Sequence, residues 1–252
     1  MTTTASPVDA HGPLSYRRRF AREQRISHAL QHAIQPATSV FGGIDGLRVA
    51  VRYRGADPTV RLGGDWYLIQ RLAGGDLLMA VGDVIGHGLG AVEVMIGLRY
   101  AMAAYAAEGH RPAAILSRLN TLLCGSGDEA TATAVVAVYR PSTGRIEWAG
   151  AGHPPLLLAD GRRAVPLPAP QGPLLGVFRT PPFGQESRQL LAGQSVLLYT
   201  DGMIKRGTFD VGIDLLADRI AGLDQDPADI LDQLDFDVAR DDACALLAQR
   251  TA

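Results

Sequence analysis

The chain has 252 residues, of which 47% are hydrophobic and 20% charged, with a formal net charge of −2. That length suits one domain with a large core, and the near balance of charge argues against a general attraction to nucleic acid or to a membrane surface. Two cysteines, Cys124 and Cys244, make neither a disulfide framework nor a zinc spacing, and the N-terminus has no signal-peptide apolar core, so the expected location is the cytoplasm.

Residues 1–14, rich in Thr, Ala, Pro and Gly, read as disordered. From Tyr16 to Gln35 the pattern is helical: Tyr16, Phe20, Ile26, Leu30, Ala33 and Ile34 share one arc of a 3.6-residue wheel, Arg18, Arg22 and Arg25 lie on the other side, and Pro36 ends the run. Residues 15–46 are therefore read as a helix and linker. Such a helix either packs on its own domain or serves as a signalling or homodimer surface. Residues 47–252 form the main domain. Leu47–Tyr53 alternates like a half-buried strand, and Asp65–Leu72 and Asp76–Val81 flank a hairpin signal at Gly74-Gly75. Leu89 to Ala107 reads as a helix, apolar almost all round and so expected between a sheet and another helix; Glu93 and Arg99 argue against a membrane span. Pro112 suits a first helical position, with Ile115, Leu116, Leu119, Leu122 and Leu123 forming one stripe behind it. Strands follow at Thr133–Tyr139, Arg145–Ala149, Pro155–Leu158 and Gln194–Thr200, then a helix at Ile213–Ala221 and a strand at Ala243–Gln249. Strands and helices in blocks, rather than in alternation, indicate an α+β fold with segregated layers.

Four acids end strand-like runs or sit beside glycines. They are Asp65 in Gly-Gly-Asp-Trp-Tyr, Asp83 in Gly-Asp-Val-Ile-Gly-His-Gly, Asp201 in Tyr-Thr-Asp-Gly and Asp241 in Asp-Asp-Ala. Any one Asp-Gly alone reads most simply as a turn. Several carboxylates gathered in one cleft would instead need hard divalent cations to offset their repulsion.

Together with Ala-Gly-His-Pro-Pro at 151–155, these motifs resemble, in order and character, the bacterial SpoIIE/RsbU-type branch of the metal-dependent serine/threonine phosphatases (the PPM, or type 2C, superfamily), over roughly Leu47 to Arg250. The resemblance implies two packed antiparallel β-sheets flanked by α-helices. It implies two Mn²⁺ or Mg²⁺ ions, bridged by Asp83, with the backbone carbonyl of Val84 and the carboxylates of Asp65, Asp201 and Asp241 as further ligands. The reaction it implies uses a metal-bound water held by Asp65 and Asp83, with no protein nucleophile. Asp242 adjoins Asp241, but strand neighbours point to opposite faces, so the site takes one of the two. His87 and His153 carry either a structural hydrogen-bonding role or a part in substrate and proton handling. The implied substrate is a phosphorylated STAS-type anti-sigma-factor antagonist in partner-switching signalling.

Two other spacings point elsewhere. Gly86-x-Gly88-x-x-Ala91 follows a strand and opens a helix, as in a dinucleotide site, yet Pro112 opens another helix where the second strand should stand. Cys244 to Arg250 has Cys-x5-Arg spacing, but Ala-Leu-Leu-Ala between them reads as a core strand and the cysteine as buried and inert. The chain also departs from the family: Leu68 replaces a common Asp after Trp-Tyr, and the 201–241 interval looks short enough to have lost a helix or flap. Residues 1–46 are too few for a fused sensor, which leaves a separate activator or constitutive activity as the expectation. Rival readings are an inactive PPM-fold module that docks a partner, and a small-metabolite phosphatase.

Overall fold

The computed structural model describes residues 38–44, 46–55, 64–127, 129–204, 208–223, 225–234, 236 and 242–251. The tail expected over 1–14, the helix expected from Tyr16 to Gln35, and Asp241 lie outside these residues. Among the described residues, two antiparallel sheets stack face to face. The first is ordered β1 (Thr38–Ile44), β2 (Leu47–Arg54), β11 (Ala243–Arg250), β10 (Ser195–Tyr199), β7 (Leu157–Ala159), β8 (Ala164–Pro166). The second is ordered β3 (Trp66–Arg71), β4 (Leu77–Val84), β5 (Ala132–Arg140), β6 (Arg145–Ala151), β9 (Glu186–Gln189).

The period of two along each strand sorts the core into layers. Val49, Val51, Leu198 and Leu246 of the first sheet meet Met79, Val81, Val135 and Trp148 of the second. The alternate residues of the second sheet, among them Trp66, Leu78, Ala80 and Val136, pack under α1 (Leu89–Ala107) and α2 (Pro112–Gly125). Those of the first sheet, Ala50, Leu197, Ala245 and Leu247, pack under α3 (Phe209–Ile220) and α4 (Pro227–Gln233). Because both sheets are covered on both faces, their central strands read as near-continuous apolar runs, such as Leu-Leu-Met-Ala-Val in β4 and Ala-Cys-Ala-Leu-Leu-Ala in β11. Each large side chain so buried contributes about 1.5–3 kcal/mol.

The two sheets, their antiparallel pairing and the outer helices are those implied by the motifs. The differences are local. Thr38–Ile44, which the sequence leaves in the linker, is a strand; Gly42 and Gly43 blur its alternation, and its pairing with β2 shifts register between Phe41 and Ile44. α1 has the expected bounds but is buried on one side only, through Ala91, Val92, Met95, Leu98, Met102 and Ala106, while Tyr100 stays exposed. By length and composition it could cross a membrane; here that side is packed on the sheet. Among the described residues, the 201–241 interval holds two α-helices. α4 is too short for periodicity to reveal, although Asp226 caps it by accepting the Ala228 amide at 3.1 Å, with Pro227 in its first turn.

Candidate metal centre

Continuing the inward alternation one step past the apolar core brings the polar residues together. Two residues beyond Val81 is Asp83; two before Tyr67 is Asp65; two before Cys244 is Asp242; two beyond Leu198 is Thr200; two before Val135 is Thr133. The register places all five at one end of the sandwich. Asp83 pairs with Thr133, Trp66 with Gly82, Tyr199 with Ala245, and Ala243 with Arg54. Asp201 follows directly, opening a single 3-10 turn at Asp201–Met203.

Burial grades outward through this cluster. Asp65 and Asp242 are 2% and 3% exposed, Asp83 is half-buried, and Asp201 is exposed. Burial first, then the charge of Asp83, raises the Asp65 carboxyl well above the usual range, with Asp242 and Asp201 adding to the effect; the hydrogen bond from Thr200 opposes it. Thr200 Oγ1 donates to Asp65 Oδ2 at 2.7 Å and accepts the Cys244 amide at 2.9 Å, joining the two sheets. The Tyr53 hydroxyl donates to Asp242, and burial, reinforced by Asp242 and Asp65, raises the phenol pKa strongly. These acids share a site in which an unopposed negative charge is costly.

Backbone carbonyls add to the donor set. A Cβ on Gly64 would stand 2.0 Å from the Val84 carbonyl oxygen and 2.7 Å from Asp83 Oδ1, so only glycine leaves that space open. On the other wall, a Cβ on Gly202 would meet the Asp242 carbonyl oxygen at 1.8 Å. Gly82 answers to a different neighbour. It lies under the Trp66 ring, 2.5 Å from where its Cβ would be, and faces the helices rather than the acids. Among the described residues, no three His, Cys, Asp or Glu side chains form a metal-sized group by themselves. The carboxylates of Asp65, Asp83, Asp201 and Asp242 with the nearby backbone carbonyls nevertheless make an all-oxygen donor set that suits Mg²⁺ or Mn²⁺ in kind, and glycine at 64 lets the backbone close against Val84 and Asp83.

His153 bridges the sheets. Its Nε2 donates to the Tyr199 carbonyl at 3.0 Å, which leaves Nδ1 to accept the Thr133 hydroxyl at 2.9 Å. Burial pushes its pKa down to about 4, against the opposing effect of the Tyr199 hydrogen bond, so the ring is neutral and both nitrogens are engaged. His87 is exposed on the loop after β4. From that loop a groove of about 620 Å³ runs between α1 and the end of α2, lined by Ile85, Val94, Leu98 and Leu122 among others. Leu68 points into the helix-covered layer, away from the acids. Cys244 lies in the inner core, and burial, then the charges of Asp65 and Asp242, push its thiol pKa up, the opposite of what a nucleophile needs. No sequence motif marks Tyr53, Thr133 and Thr200 as site residues; the signal that finds them is the inward alternation followed to the end of each strand.

Two sheets packed between helix layers, with acids at one open end, define a PP2C-type (PPM) phosphatase fold. Residues 73–251 match the family described as Stage II sporulation protein E (SpoIIE), and the chain belongs to that family. It is 26% identical over 163 residues to the phosphoserine phosphatase RsbP of Bacillus subtilis, covering 63% of this chain and 40% of RsbP. It is 27% identical over 149 residues to RsbU of the same organism, covering 58% of this chain and 44% of RsbU. The chain thus spans less than half the length of these relatives. Among solved structures, the RsbU and RsbW domains of a Mycobacterium tuberculosis protein match with TM-score 0.73 at 29% identity, covering 82% of this chain and 60% of that one. The SiaA PP2C domain of Pseudomonas aeruginosa matches with TM-score 0.74 at 19% identity, covering 96% of this chain and 100% of that one; here the likeness is one of fold.

Proposed function

We propose that this chain is an active, Mn²⁺- or Mg²⁺-dependent phosphoserine/phosphothreonine protein phosphatase, and that it dephosphorylates a STAS-type anti-sigma-factor antagonist in partner-switching signalling. The observation that carries the reading is the burial of Asp65 beside Asp83, Asp201 and Asp242 at one open end of the sandwich, where Gly64 lets the backbone close against Val84 and Asp83. Asp83, the Val84 carbonyl and Asp201 would hold the ions together with one acid of the Asp241–Asp242 pair, of which Asp242 lies in the cluster, while Asp65 is oriented behind them by Thr200. Divalent ions bound there would neutralise the phosphoryl oxygens and lower the pKa of an attacking water. The chain's own residues bind and orient. None is placed as a nucleophile, since the Cys244 thiol is buried and protonated and the His153 ring is neutral and fully hydrogen-bonded. The phosphoserine activity of RsbP and RsbU supports the substrate class.

The test is phosphate release from a phosphoserine-bearing STAS protein and from a small phosphate ester, with Mn²⁺, Mg²⁺ or EDTA. The expected outcome is metal-dependent turnover, faster on the phosphoprotein, and loss of about 10²-fold or more in Asp83→Asn with its fold intact. Turnover unaffected by EDTA or by Asp83→Asn would remove the metal reading. Preference for the small ester would replace the protein substrate.

A further inference from the structure

The near-zero net charge conceals a strong separation along the chain. Residues 201–242 contain twelve aspartates against four lysines or arginines, whereas residues 16–35 contain five arginines against one glutamate. Part of the acidic excess lies on the outer side of α3 in a defined pattern. Asp210, Asp214 and Asp218 recur every four residues and are exposed, so they form one row along the helix. Beside that row, Val211 and Leu215 form a second, 51% and 46% exposed. The helix buries Ile213, Leu216, Ala217 and Ile220 against the sheet, so this outer pair of rows is additional to what the fold requires.

We infer that the outer face of α3 is a docking surface for the basic, apolar-striped segment Tyr16–Gln35 of this same chain. On a helical projection of its sequence, the side that carries Arg18, Arg22 and Arg25 meets the apolar arc at Arg22, next to Ala33 and Ile26. A row of positive charge beside a row of apolar side chains is the complement of the α3 surface. Burying Val211 and Leu215 supplies affinity, and the facing charges supply register. The connection reaches. Thr38 pairs with Arg52, Arg52 with Ala245 and Ala245 with Tyr199, so the segment enters the sheet in line with the residues just before Asp201. α3 packs over β7 and β8. From β1 to β7 is four strand spacings, about 19 Å, and twenty residues in a helix span about 30 Å. The surface is separate from the acid cluster, so this inference does not depend on the phosphatase reading.

Hydrogen exchange followed by mass spectrometry on the full chain tests it. Amides of residues 16–35 should exchange at least about tenfold more slowly than in the free peptide of that sequence. The triple variant Asp210→Lys, Asp214→Lys, Asp218→Lys should lose that protection, and adding Arg18→Glu, Arg22→Glu and Arg25→Glu should restore it. Val211→Ser with Leu215→Ser, which leaves the charges alone, should weaken it too. Circular dichroism of each variant confirms that the sandwich persists. A mass of one chain by light scattering assigns the contact within the molecule, and twice that mass between copies. Absence of protection in the wild type, or protection unchanged by both sets of α3 variants, overturns the proposal.

Discussion

At the scale of the residue, the site depends as much on what is missing as on what is present. Gly64 stands where any side chain would overlap the backbone of Val84, which cannot swing away as a flexible side chain could. Gly64→Ala should therefore push β3 from β4 at the acid end, destabilising the fold by about 1–3 kcal/mol, and should weaken Mn²⁺ binding more than distant changes of equal cost. Urea unfolding in EDTA gives the first quantity and calorimetric Mn²⁺ titration the second. Unchanged Mn²⁺ affinity would show that this close approach does not serve the ion. Asp65 illustrates the converse, a carboxylate that the Thr200 hydroxyl orients among three other acids, where its ionised form is disfavoured.

At the scale of the element, the open end is held by side chains as well as by strands. Thr200 Oγ1 lies at the end of β10, takes the amide that begins β11 and gives its proton to the carboxylate that precedes β3. Thr200→Val keeps the shape and removes both bonds, leaving the Cys244 amide buried without its acceptor. The expected cost is about 1–3 kcal/mol, with Thr200→Ser recovering most of it. Denaturant midpoints at unchanged m-value measure this, and equal stability of the Val and Ser variants would refute it. The same element logic accounts for Tyr53, which ties the end of β2 to Asp242.

At the scale of the whole molecule, His153 couples the packing of the two sheets to pH. Folded, its ring titrates at about 4, whereas an unfolded histidine titrates near its usual value of 6.5. Between these values the unfolded chain binds the additional proton, so stability falls as pH falls through that window and is fully present above it. At pH 5 the loss is about 1–2 kcal/mol relative to pH 7.5. Thermal melts of the metal-free protein across pH 4.5–7.5 should show this slope, and His153→Gln should flatten it. Equal slopes in wild type and variant would assign the acid sensitivity to other groups.

The sequence by itself determined the family, the layer order and most strand centres, because period-two alternation and glycine-flanked acids are local signals that survive without contacts. α1 and β11 could be read almost to the residue from apolar runs between turn residues. Tertiary structure decided which acids meet. Asp65 and Thr200 are far apart in the chain, and only the register of two sheets brings their side chains to 2.7 Å. It also decided that His153 is a neutral strut, that Gly82 serves Trp66 and that Leu68 faces the helices, since each depends on which layer covers a given strand face. Short β8, β9 and α4 escaped the sequence for a related reason: too few residues carry a period, and pairing or packing with distant segments stabilises them, whereas β1 escaped because Gly42 and Gly43 blur its alternation.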